Sequence, residues 1–197
     1  QIRLVVGEAN RESWVYLWAS MPSKDPLVIL GPGEAYEGDI NRALVQCDKS
    51  GKISCTLNCP QPYRVDDKTY CRHVHYVVED KLEEIWQPMR TLRIVCQISL
   101  EGLDDVLKTK KAMVINSLPK EMYNKDKIPK SLNFPRETLD KLSEEAKSKR
   151  VLAFLKDHLK DYPEIQKRVV SKSLELKDVP LVIYCYDENC KSSGRLI

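Results

Sequence analysis

The sequence predicts an α+β chain of two domains: an antiparallel β-sandwich over residues 1–102, then an α/β domain with a parallel sheet over residues 103–197. Three observations carry this expectation. Short β-rich runs separated by turn signals fill the first half. In the second half, short apolar runs are separated by long helical stretches. The punctuation changes near residue 100, where EGLDD offers a turn and a helix start.

The elements of the first half are SWVYLWAS, PLVILGPG, RALVQC, the turn DKSG, then KISCTLNC, RHVHYVV and TLRIVCQISL. Each is short enough for a strand, and turn signals punctuate the series, as a sandwich requires. In the second half AMVINSL reads as a strand, ETLDKLSEEAKSKRVLAFLKDHLKDY as one or two amphipathic helices, and PLVIYC as a fully buried strand. Strand, helix and strand in that order imply a parallel sheet. KTKKAM is expected to be a loop or helix end, and His158 a solvent-facing or helix-end residue.

Composition narrows the function classes. The chain has 197 residues, 42% hydrophobic and 31% charged, as in an ordinary globular protein. Lys and Arg total 32 against 29 Asp and Glu, so the net charge of +3 supplies no general attraction to nucleic acid or membrane. Neither is an expected partner. No apolar run approaches the roughly 20 residues of a membrane span, and QIRLVVGEANRES lacks the blocks of a signal peptide. The expected location is the cytoplasm. Seven cysteines cannot all pair within the chain, which fits a reducing compartment better than a disulfide framework. Cys47, Cys55, Cys59 and Cys71 lack CxxC spacing and read as core or surface residues rather than zinc ligands. P-loop, dinucleotide and nucleophilic-serine motifs are absent from the sequence.

Two stretches carry candidate chemistry. In VIYCYDENCKSSG, Cys185 ends an apolar run and a polar loop follows. A thiolate at a strand tip that faces backbone N–H groups and a helix N-terminus has its pKa lowered and becomes nucleophilic. Asp187 and Glu188 oppose this by repelling anions and raising the thiol pKa, and Lys191 offsets them in part. Cys190 is a candidate resolving thiol for an oxidised Cys185. The competing reading makes Cys185 an inert strand-end residue.

The second half resembles a rhodanese-like domain. KAMVINSLPKEMYNKDKIPKSLNFPRETL is similar to that family's opening, with Asp126-Lys127-Ile128-Pro129-Lys130-Ser131-Leu132-Asn133-Phe134-Pro135 in place of its G-H-I-P-G-A-x-N-I-P segment. Cys185 falls where the family keeps its catalytic cysteine. The resemblance implies sulfur transfer. Cys185 would attack a sulfane sulfur, Ser192 and Ser193 with the loop N–H groups would stabilise the anion, and Lys191 would orient a small anionic sulfur donor or a protein thiol. Asn116 and Leu118 depart from the family's acidic residue and arginine, and Lys127 from its histidine. Relative to that family the domain would be truncated at its C-terminal end. A catalytically inactive binding or regulatory module is the alternative.

The other stretch is Arg72-His73-Val74-His75-Tyr76, where two histidines at i and i+2 on a strand share one face and can reach one metal ion. With the turn DKSG, the strand KISCTLNC and the segment Pro60-Gln61-Pro62-Tyr63, this order resembles the β-sandwich core of intradiol ring-cleaving dioxygenases. The resemblance implies iron held by Tyr63, His73 and His75, with Tyr36 of GEAYEGD as a fourth candidate. Fe or Zn suits such donors. The structural reading gives two hydrogen-bonded histidines, one of them bonded to Asp66 or Asp67, and Tyr63 closing a turn.

Overall fold

A computed structural model describes residues 1–38, 40–186 and 190. The chain divides into two compact units, Gln1–Asp25 with Ile29–Cys96, and Pro26–Val28 with Gln97–Ile197. The architecture is mixed α/β, with several antiparallel sheets and one parallel three-stranded sheet.

The first unit is β-rich. Its strands are β1 (Ile2–Val5), β2 (Trp14–Trp18), β3 (Arg42–Gln46), β4 (Lys52–Cys55), β5 (Tyr63–Val65), β6 (Lys68–Tyr70), β7 (His73–Asp80), β8 (Ile85–Trp86) and β9 (Arg90–Arg93), with the short helix α1 (Pro32–Ala35) between β2 and β3. A five-stranded antiparallel sheet runs β3-β2-β7-β8, with β9 also paired to β7, while β1 pairs with β4 and β5 with β6. Side chains alternate across a strand, so β2 and β7 each present one apolar face. Val15 and Leu17 of β2 pack with Val74, Tyr76 and Val78 of β7 in one core. Ile2, Leu4, Ile53 and Cys55 of the β1–β4 ribbon close that core from the other side. Burying each large aliphatic side chain contributes about 1.5–3 kcal/mol.

The turn DKSG joins β3 and β4 as its composition requires. Asp48 Oδ1 accepts from the backbone N–H groups of Ser50 and Lys52 at 2.8 and 2.9 Å, and Gly51 has φ +70°. A Cβ on Gly51 would lie 2.1 Å from the Gly7 carbonyl oxygen, so both the conformation and the close approach call for glycine. Farther along, Cys59 and Cys96 form a disulfide with Cα atoms 5.9 Å apart. This differs from the reading of Cys59 as an isolated core or surface thiol. The partners are 37 residues apart, a separation at which composition and local spacing carry no pairing signal.

The second unit contains α2 (Leu100–Thr109), β10 (Met113–Asn116), α3 (Lys120–Lys125), β11 (Leu132–Asn133), α4 (Glu144–His158), α5 (Pro163–Val170) and β12 (Leu181–Tyr184). Its sheet order is β11-β10-β12, and both pairings are parallel. Met113, Val114, Ile115 and Asn116 are all buried, the pattern of a central strand covered on both faces. The Ser99 side chain caps α2 by accepting from Gly102 N–H at 3.1 Å, which fixes the start of the helix. Lys110, in the KTKKAM stretch, caps the other end of α2 in the left-handed region at φ 55°. Among the described residues, no helix is long and apolar enough to cross a membrane.

Candidate metal centre

Tyr63, His73 and His75 come together on the outer face of the five-stranded sheet. His73 and His75 lie on β7, two residues apart, and therefore project from the same face, opposite the core residues Val74 and Tyr76. The β5–β6 hairpin covers His73: Tyr63 is paired with Tyr70 in the hairpin register, and their rings stack at 5.6 Å. The chain entering β5 is fixed from two sides. Ser20 Oγ donates to the Gln61 carbonyl at 2.7 Å, and Arg64 N–H donates to the Leu30 carbonyl at 2.9 Å.

Donor atoms converge closely. His73 Nε2 lies 3.1 Å from Tyr63 Oη and 3.1 Å from His75 Nε2. His73 Nδ1 lies 2.6 Å from the Cys71 carbonyl oxygen, which can only accept, so Nδ1 carries the hydrogen and Nε2 presents its lone pair. His75 Nδ1 is 3.0 Å from Thr91 Oγ1 on β9. Neither histidine takes Asp66 or Asp67 as its partner in these contacts. The outer nitrogens are oriented by a carbonyl and a hydroxyl instead, the arrangement that fixes a ligand's ring and tautomer.

Hydrogen bonding alone satisfies this cluster poorly. An unprotonated imidazole nitrogen has one lone pair, yet His73 Nε2 has two neighbours at 3.1 Å. If His75 donates its Nδ1 hydrogen to Thr91, two lone pairs face each other across the gap; if Thr91 donates to Nδ1 instead, His75 Nε2–H donates to His73 Nε2 and competes with Tyr63 Oη for its one lone pair. Protonation is a costly remedy, since burial, followed by the effect of His73, lowers the His75 pKa. Tyr36 adds a further mismatch. Its ring packs edge-on against Tyr63 at 5.5 Å, while its buried hydroxyl makes no hydrogen bond of acceptable geometry. Burial first, and then the neighbouring Tyr63, raise the Tyr36 pKa well above the usual phenol range. A buried, unsatisfied hydroxyl costs about 1–3 kcal/mol.

Two phenols and two imidazoles are a coherent donor set for one cation. Imidazole nitrogens suit iron, copper and zinc, and phenolate oxygens add hard, anionic donors that favour a higher charge. A cation would use both Nε2 lone pairs and draw the protons from Tyr63 and Tyr36. Among the described residues, no group of three or more His, Cys, Asp and Glu side chains could hold a metal ion, so this centre depends on its phenol donors. The spacing of Cys71 and Thr91 from the histidines gave no sign of their orienting roles. Cys71 acts through its backbone, and Thr91 arrives through the β7–β9 register that sets it opposite His75.

The cysteine site is at the opposite type of position, the C-terminal end of a parallel strand. Cys185 directly follows β12, whose four residues pair in parallel with all four of β10. Cys185 and Cys190 are both half-buried, and Cys185 Sγ lies 3.1 Å from the Cys190 carbonyl oxygen, to which it donates. Asn116 ends β10 and is buried, its side-chain oxygen accepting from Leu118 N–H at 2.9 Å. Tyr184 closes the neighbouring segment, accepting from Ile128 N–H at 3.0 Å and lying 2.8 Å from Ser131 Oγ. Lys191, Ser192 and Ser193, together with Asp187 and Glu188, lie outside the described residues. No family model, characterised protein or solved structure matches this chain.

Proposed function

We propose that the first unit is a metal-binding β-sandwich that holds one iron ion on Tyr36, Tyr63, His73 and His75 and acts in oxidative chemistry of the ring-cleaving dioxygenase type. The observation that carries this reading is that Tyr63 Oη and His75 Nε2 each lie 3.1 Å from His73 Nε2, beside the orphaned Tyr36 hydroxyl. Bound ferric iron would supply Lewis acidity toward a diphenol, with dioxygen as the oxidant whose two atoms enter the cleaved product.

The chain's own residues have defined parts in this proposal. Cys71 and Thr91 hold the imidazoles with Nε2 inward. Tyr36 and Tyr63 give up their protons on metal loading, so affinity rises with pH. Trp18, whose ring is 5.4 Å from that of His75, places an apolar wall beside the centre and limits water on that side. Iron-loaded protein should show a phenolate-to-iron charge-transfer band in the visible spectrum. Tyr63→Phe and Tyr36→Phe should each shift or weaken it. A colourless iron complex, or a band unchanged in both variants, would overturn the assignment, and ring cleavage of catechol by the loaded protein tests the reaction class.

A second reading rests on Cys185 at the end of the parallel strand β12. It assigns thiol or sulfur-transfer chemistry to the second unit, with a small anionic sulfur donor or a protein thiol as co-substrate and Cys190 as resolving thiol; an inactive rhodanese-like binding module is its alternative. Thiosulfate sulfurtransferase assays of wild type and Cys185→Ser separate these two. The proposed cytoplasmic location stands against the Cys59–Cys96 bond, since disulfides persist mainly in oxidising compartments. Thiol titration of protein trapped in its native compartment decides between them.

A further inference from the structure

At the end of the outer face remote from the histidines, the same sheet forms an open groove of about 620 Å³. Along β2, Trp14 precedes Trp18, the neighbour of His75, by four residues, which places the groove roughly 13 Å from the metal centre. Trp14 and Trp86 both line it and are 41% and 49% exposed. Tryptophan is highly buried on average, so two such rings open to one groove are unusual for a surface with no role in binding.

The sheet register explains how the rings are set. Val15 is paired with Val78, so one step on in the same antiparallel register Trp14 lies opposite Glu79. The Trp14 backbone N–H donates to Glu79 Oε2 at 2.9 Å, which holds that carboxylate in place. Glu79 is in turn paired with Trp86 on β8. Residues opposite one another in register project from one face. The result is a row of indole, carboxylate and indole across three strands, with the two tryptophan Cα atoms about 10 Å apart. Glu12 and Glu84 add two further carboxylates to the lining, against the single cation Lys81.

We infer that this groove binds an organic cation with a methylated ammonium head, seated between Trp14 and Trp86 and over Glu79. The negative lining sets the sign of the ligand, and the indoles set its kind. Tryptophan offers the best ring face for a cation, and quaternary ammonium groups are the cations that aromatic walls recognise. A primary ammonium is a compact and strongly hydrated charge, which makes its removal from water costly. A methylated head presents an apolar surface that indoles can cover. A neutral sugar could stack on the same rings but would leave three carboxylates facing one ammonium with no added counter-charge.

The test is a tryptophan-fluorescence titration of the full chain with choline chloride, run beside sodium chloride at equal ionic strength, the uncharged isostere 3,3-dimethylbutan-1-ol, and maltose. Choline should produce a saturable change that the other three do not. Affinity should fall about tenfold in Trp86→Ala and in Glu79→Gln, while Trp86→Phe retains most of it. Because Trp86 is a half-exposed residue outside the metal centre, metal content should be unchanged in Trp86→Ala, which separates this site from the iron proposal. Equal binding of the isostere or maltose would overturn the inference, as would wild-type affinity in both Trp14→Ala and Trp86→Ala.

Discussion

The His73–His75 end of the five-stranded sheet and the Cys185 end of the parallel sheet both place a reactive side chain by means of a strand, and the partners described at each end differ in kind. At the first, each imidazole is held through its outer nitrogen, by Cys71 and by Thr91, and a hairpin lays Tyr63 against the inner one. At the second, Cys185 follows from strand position, with a hydrogen bond to a carbonyl five residues on. A strand end presents an atom; partners from several elements aim it. The described partners at the histidine end are what carry the metal-centre proposal, although the cysteine stands out more readily in the sequence.

The largest expected effect comes from the clamp beside the better-fixed site. The Cys59–Cys96 bond ties the segment entering β5 to the segment leaving β9, the two that supply Tyr63 and Thr91. Closing a loop of 37 residues stabilises the fold by about 4 kcal/mol in the chain-entropy picture. Cys59→Ser with Cys96→Ser should lower the denaturant midpoint of the first unit accordingly and weaken metal binding. A stability change below about 1 kcal/mol would show that the strands hold the site without help.

The next largest effect sharpens the contrast directly. Thr91→Val removes the hydroxyl behind His75 while preserving shape on β9, and iron affinity should fall 10- to 100-fold, roughly the range for losing an orienting partner of a metal ligand. An unchanged affinity would make the Thr91 contact incidental.

The sequence announced these two regions unequally, for physical reasons. The histidine pair was legible because the two-residue period of a strand fixes a shared face, and β7 does place both on one. β12 and its parallel pairing followed from a short apolar run after helical stretches, but the strand is not fully buried as expected: Leu181 is exposed and Val182, Ile183 and Tyr184 are half-buried. Tyr63 was expected at the site only through its motif, and Tyr36 arrives from the end of α1, whose contact with β5 no local pattern encodes. The disulfide and the Trp14–Glu79–Trp86 row depend on pairings between distant strands, which spacing cannot reveal. Strand lengths were overestimated where apolar residues continue past the ladder: KISCTLNC yields only Lys52–Cys55, and TLRIVCQISL contributes to Arg90–Arg93. Likewise the long amphipathic stretch becomes a helix only from Glu144, after the Ser143 cap.

The smallest expected effect separates site from scaffold. The Lys52 backbone N–H, then Ser50, hold the Asp48 carboxyl below its ordinary value. A carboxyl whose pKa is lower folded than unfolded adds stability above the unfolded value, near 3.8, and loses it as pH falls through the folded value. Asp48→Asn should therefore flatten part of the stability decline below about pH 4 and leave metal content unchanged. A variant with the wild-type acid profile would place no weight on that turn.

Metal content tests the central claim most directly. Protein produced in iron-supplemented medium, purified without chelator and measured by elemental analysis, should carry about one iron per chain. The His73→Ala and His75→Ala variants, folded by circular dichroism, should fall to background. Background metal in the wild type, or the same content in all three proteins, would contradict the assignment of Tyr63, His73 and His75 as a metal centre.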